Sequence, residues 1–160
     1  MFVILETLGI KNLMEINKIN VKAMCVISRN GNEVLAGIGR DDVKGEDFGR
    51  IIGGKIEFGE TAEFALRREF QEELSTDLED IFFINMVENI FTYNGQHGHE
   101  IVFAYKGSLA DKSLYKKDLM KVKDGGQKFD VKWVSLDDVY SGKIKLYPEL
   151  DYKTILNYKA

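Results

Sequence analysis

Between Gly54 and Thr76 the chain reads GKIEFGETAEFALRREFQEELST, and the spacing of its apolar residues leaves little freedom in how it folds. Ala62, Ala65, Leu66, Phe70 and Leu74 recur at three- and four-residue intervals, the period of an amphipathic helix. With Ala62 at zero and a turn of about 100° per residue, Ala65 falls at about 300°, Leu66 at about 40°, Phe70 at about 80° and Leu74 at about 120°. The glutamates do not stay on the opposite face. Glu69 at about 340° and Glu73 at about 20° lie inside the apolar stripe, and Glu72 at about 280° borders it. A charged run such as RREFQEEL is most often a solvated helix face. Ionised carboxylates on a core-facing stripe, however, are costly unless they are paired or bound to a metal. A local pattern broken in this way marks a site.

The residues before the helix support that reading. Gly53-Gly54 and Gly59 flank the short segment Lys55-Ile56-Glu57-Phe58. Glycine lets a backbone bend sharply and approach a ligand. Glu60-Thr61 supplies an acid and an N-cap at the start of the helix. Three carboxylates within about one helical turn, next to accessible backbone carbonyls, form the hard-oxygen environment that Mg²⁺ or Mn²⁺ selects.

The segment resembles the Nudix box of the Nudix (MutT-like) hydrolases: G, five residues, E, seven residues, then R-E-U-x-E-E-x-G-U, with U a bulky aliphatic. Gly54, Glu60, Arg68, Glu69, Glu72 and Glu73 match in identity and spacing. Phe70 stands at the first U, and Ser75 and Thr76 replace the final glycine and aliphatic residue. The resemblance implies a Nudix-type α/β/α sandwich with a mixed β-sheet and a catalytic loop-helix. It further implies Glu69, Glu72 and Glu73 as metal ligands, with a backbone carbonyl near Gly54 as an addition, and Glu60 and Arg68 as the pair that holds the loop-helix in shape. Glu69 is the general-base candidate within the box. Some enzymes of the family take this carboxylate from a later loop, which makes Glu100 and Asp124 the downstream candidates.

Outside the box the pattern is coarser. Residues 21–27 and 33–38 read as a hairpin around Asn30-Gly31-Asn32. Residues 88–93 and 99–105 read as paired strands around Gly95 to Gly98, and residues 129–134 as another strand before a short helix at Ser135. His97 is expected in the intervening loop and His99 where that loop enters the second strand. Phe91, Tyr93 and Phe103 could stack a base, although strand aromatics more often belong to a core. Lys112, Lys116, Lys117, Lys121 and Lys123, interspersed with Asp111 and Asp118, read as a solvated helix. Residues 1–20 are expected as an extension before the hydrolase domain at 21–160. An added edge strand, contact with a second copy in a homodimer and a lack of fixed structure all remain open for it.

A chain of 160 residues with 44% hydrophobic content suits a single core. It has no apolar stretch of about 20 residues, so no membrane span is expected. Met1 to Leu5 lacks the basic flank of a secretion signal. Cys25 is the only cysteine and reads as a small buried residue, which together favours the cytoplasm. A net charge of −4 argues against a nucleic-acid surface.

The expected activity is metal-dependent hydrolysis of a diphosphate linkage in a small-molecule nucleotide, with Mg²⁺ as cofactor and Mn²⁺ as substitute. Substrate classes left open are nucleoside triphosphates, ADP-ribose or other nucleotide sugars, and dinucleoside polyphosphates. The alternative is a Nudix-fold module that senses a nucleotide without cleaving it; the intact Glu69, Glu72 and Glu73 argue against this.

Overall fold

The computed structural model describes residues 18–124 and 126–158. Most of the expected 1–20 extension lies outside these residues, while Ile19 and Asn20 open the first strand. The elements in chain order are β1 (Ile19–Arg29), β2 (Glu33–Asp41), β3 (Glu46–Ile51), β4 (Gly53–Lys55), α1 (Ala62–Leu74), β5 (Leu78–Tyr93) and β6 (Gln96–Leu109). A single 3₁₀ turn (Lys112–Lys116) is followed by β7 (Leu119–Asp124), β8 (Gln127–Ser135), α2 (Leu136–Tyr140), β9 (Lys145–Tyr147) and α3 (Tyr152–Asn157).

The strands run β5-β6-β1-β2-β3-β9, with β4 paired to β1, β8 to β2 and β7 to β8. β1 pairs parallel with β6, and β9 pairs parallel with β3; the remaining pairs are antiparallel. The expected mixed sheet is therefore present, and β1 lies at its centre. Ala23 to Ile27 are buried without a polar break, as a strand covered on both faces requires. Ala23, Cys25 and Ile27 pack with Leu66, Phe70 and Leu74 of α1. Met24 and Val26 point the other way and pack with Leu136 of α2 and Tyr152 and Ile155 of α3. This places helices on both faces, as the sandwich requires.

The hairpin expected around Asn30-Gly31-Asn32 forms, with Asn30 at φ 54° and Gly31 at φ 69°. The second hairpin is longer than expected. Asn94 and Gly95 both take positive φ, 48° and 77°, so pairing resumes at once with Tyr93 opposite Gln96. His97 consequently lies in β6 with His99, rather than in a loop. The lysine-rich segment also departs from expectation. It forms the 3₁₀ turn and then β7, where Met120 and Val122 are buried while Lys121 and Lys123 face solvent. Pairing of β7 with β8 satisfies its backbone, and the period-two alternation overrides the mixed-charge helix pattern.

Candidate active site

The box folds as a loop leading into a helix, and each turn of it has a physical cause. Thr61 caps α1, its side chain accepting from the Phe64 N–H at 3.2 Å. The helix ends at Ser75, which stands where the motif has glycine and adopts the left-handed conformation at φ 53°, its N–H returning to the Gln71 carbonyl. Thr76, in place of an aliphatic residue, is buried. Its hydroxyl accepts from the Asp111 N–H at 3.0 Å and donates to the Asp77 carbonyl at 3.1 Å. The two departures from the motif are thus accommodated at the helix exit, away from the glutamates.

Arg68 ties the loop to the helix. Its Nε donates to Glu60 Oε1 at 2.7 Å and its Nη2 to Glu60 Oε2 at 3.0 Å, a bidentate pair. Nη2 also reaches the Lys55 carbonyl at 3.0 Å, while Nη1 reaches Glu69 Oε1 at 2.8 Å and Glu72 Oε2 at 3.3 Å. Glu60 in turn accepts from the Glu57 N–H at 2.9 Å. The Arg68 hydrogen bonds, and then that N–H, hold the Glu60 carboxyl down at about 2. The Glu60 hydrogen bonds, and after them the one to Glu69, hold the Arg68 guanidinium above its ordinary range against the opposing effect of burial.

Helix phase accounts for Glu69, which lies inside the apolar stripe, and for Glu72 at its border, whereas Glu73, also inside the stripe, is less buried than its phase implies. Glu69 is buried, Glu73 is half-buried and Glu72 is exposed. The Glu69 carboxylate rests against Gly54: a Cβ there would lie 2.1 Å from Glu69 Cδ, so any other residue would displace it. Glu69, Glu73 and Gly54 line one wide cleft, and Glu72 does not. Hard oxygens around a side-chain-free backbone suit a divalent ion in chemistry. Their convergence is incomplete: among the described residues no three acidic, histidine or cysteine side chains are gathered to hold one ion.

Glu100 lines the same cleft, on β6. It is buried, with Lys22 Nζ 2.5 Å and Arg50 Nη2 3.1 Å from its Oε1. Burial draws the Lys22 ammonium below its ordinary value; Arg50 pushes the same way and Glu100 opposes. Lys22 and Arg50 were not singled out from sequence. The available signal was a lone lysine within the apolar run of β1 and an arginine set between Gly49 and Ile51. Asp124 ends β7 opposite Gln127, and its side chain lies outside the described residues. His99 Nε2 lies 2.8 Å from Glu88 Oε1, and His97 Nδ1 lies 3.4 Å from Thr92 Oγ1. Cys25 is fully buried, and burial pushes its thiol far up, which leaves it inert as a nucleophile.

The family model for the NUDIX domain matches residues 18–157. The chain belongs to the NUDIX family. It is a Nudix hydrolase, of a family whose enzymes generally use divalent metal ions and act on small nucleotides. Solved structures agree on the fold. A NUDIX hydrolase from Nitrosomonas europaea is similar at a TM-score of 0.55 and 17% identity, over 87% of this chain and 86% of that one. A MutT NUDIX hydrolase from Burkholderia pseudomallei is similar at a TM-score of 0.50 and 23% identity, over 88% and 96%. An ADP compounds hydrolase matches at a TM-score of 0.52 and 16% identity, over 76% of this Nudix chain and 62% of that protein. Among the described residues of this Nudix hydrolase, no helix is long and apolar enough to cross a membrane.

Proposed function

We propose that this Nudix hydrolase cleaves a diphosphate linkage in a nucleoside diphosphate joined to another group, using Mg²⁺, with Mn²⁺ as a substitute. The observation that carries the reading is the buried Glu69 carboxylate set against Gly54 in a cleft that also presents Lys22 and Arg50. Glu69, Glu72 and Glu73, with the carbonyl of Gly54, are the groups that would hold the ion. A bound divalent ion offsets phosphate charge and lowers the pKa of water.

The chain's own residues supply the remaining chemistry. Lys22 and Arg50 bring positive charge to the cleft for the phosphates, and Glu100 keeps both side chains in place. Glu60 and Arg68 fix the path of the loop so that Gly54 stays against Glu69. Water is activated by a carboxylate, for which Glu69, Glu100 and Asp124 compete.

The deciding experiment is turnover of nucleoside triphosphates, ADP-ribose and other nucleotide sugars, and dinucleoside polyphosphates, read by phosphate release and product identity with Mg²⁺ and with chelator. The expected result is chelator-sensitive cleavage of at least one class. Nucleotide binding without cleavage of any class would make the protein a sensing module instead.

A further inference from the structure

The cleft contains an aromatic cluster that the diphosphate chemistry does not use. Phe48 on β3 lies over Gly39, its cross-strand partner, where a Cβ would come within 2.6 Å of the ring. Tyr93, the last residue of β5, stands edge-on to Phe48 with centroids 5.7 Å apart and planes at 82°. Tyr147, the last residue of β9, does the same at 5.9 Å and 74°. β3 and β9 are neighbours, but β5 belongs to the opposite end of the strand order, so strand pairing does not bring Tyr93 here.

Asp41 does. Its Oδ1 accepts from the N–H groups of Val43 and Lys44 at 3.1 and 2.9 Å, which shapes the β2–β3 turn. Its Oδ2 accepts from the N–H of Asn94, the residue after Tyr93, at 3.3 Å. Asn94 Oδ1 accepts from the Asp42 N–H at 2.8 Å, and Lys44 Nζ donates to the Thr92 carbonyl at 2.5 Å. The β2–β3 turn is thereby clasped to the β5–β6 turn on both sides of Tyr93. The burial is inverted relative to an ordinary core: Asp41 is 4% exposed, while the Tyr93 ring it holds is 42% exposed. A cluster serving only stability would bury the rings and leave the carboxylate in water. Asp41, Phe48, Tyr93 and Tyr147 line the same cleft as Glu69 and Arg50.

We propose that Phe48, Tyr93 and Tyr147 take the planar base of the nucleotide, and that Asp41 is the positioning residue that fixes this subsite by clasping the two turns. The proposal rests on the diphosphate reading for the placement of the rest of the substrate. Every base has a π-face, so stacking separates base-bearing from base-free diphosphates more sharply than one base from another.

The test measures equilibrium binding of ADP and of ribose 5-diphosphate, both with Mg²⁺, to the full chain and to Tyr93→Leu, Asp41→Ala and Asn94→Gly, together with their melts. Asn94→Gly keeps the positive φ of the turn and removes only the side-chain half of the clasp. It therefore reads the clasp even where Asp41→Ala fails to fold. Tyr93→Leu should weaken ADP by about tenfold. Asn94→Gly should weaken ADP in the same direction, and ribose 5-diphosphate should be unchanged in both. Equal loss for the two ligands, no loss for ADP, or equal wild-type affinity for both would overturn the subsite. Wild-type ADP binding with no turnover of any nucleotide would sink the hydrolase reading alone, and the base subsite would still be decided by the variants.

Discussion

Arg68 grips both carboxylate oxygens of Glu60 with one edge of its guanidinium, Nε at 2.7 Å and Nη2 at 3.0 Å, and the same side chain reaches back to the Lys55 carbonyl. One arginine therefore fastens the loop before α1 to the helix itself. A side chain with this many internal partners acts first on structure. Arg68→Ala should lower Tm by about 5 °C and reduce turnover as well. If Arg68 is instead a phosphate clamp, KM will rise while the melt hardly moves.

The pair also sets an acid limit. The Glu60 carboxyl is lowered from 4.5 to about 2, first by Arg68 and then by the Glu57 N–H. A folded pKa below the unfolded one means that the unfolded chain takes the proton more readily. The stabilisation is complete above pH 4.5 and is lost as pH falls towards about 2. Melts of wild type and Glu60→Gln across that window should converge at the acid end. A constant gap at every pH would show that the pair contributes nothing to the acid dependence.

Gly54 is constrained by a neighbour rather than by its own backbone. A methyl group there would sit 2.1 Å from Glu69 Cδ, and a carboxylate can move aside more easily than a strand can. Gly54→Ala should cost at least about tenfold in turnover, ~1.4 kcal/mol, with little change in the melt. Full activity in this variant would show that the placement of Glu69 against the loop is not needed.

The carboxylates separate by readout. Glu72→Gln and Glu73→Gln should each lose about tenfold or more in activity, with the loss deepening at limiting Mg²⁺. Loss of the general base should depress kcat by roughly 10² to 10⁴ and remove the acidic limb of the pH–rate profile. Comparing Glu69→Gln, Glu100→Gln and Asp124→Asn at saturating Mg²⁺ identifies which carboxylate holds that role. Wild-type profiles in both downstream variants would return the role to Glu69.

Ser75 holds its place at the helix exit with a left-handed backbone, φ 53°. A non-glycine residue in that region carries a strain on the order of 1 kcal/mol. Ser75→Gly should raise Tm by about 2–4 °C without altering KM. An unchanged or lower Tm would mean that the serine side chain offsets its backbone strain.

The sequence by itself determined what depends on near neighbours along the chain. The phase of α1 turned Glu69 inward and left Glu72 at the border of the stripe, because a helical period acts over a few residues. Asn30-Gly31 marked the first hairpin, because a readiness for positive φ is a property of those residues themselves. The tertiary structure alone decided the relationships between distant segments. The alternating segment from Leu119 to Asp124 became a strand only because β8 supplied its hydrogen bonds. Parallel pairing of β1 with β6 set Asn20 opposite Glu100 and so brought Lys22 to that carboxylate. Clasping of two turns more than fifty residues apart brought Tyr93 to Phe48. Strand order and register carry no local signature, since the partner that satisfies each backbone is chosen by the whole packed sheet.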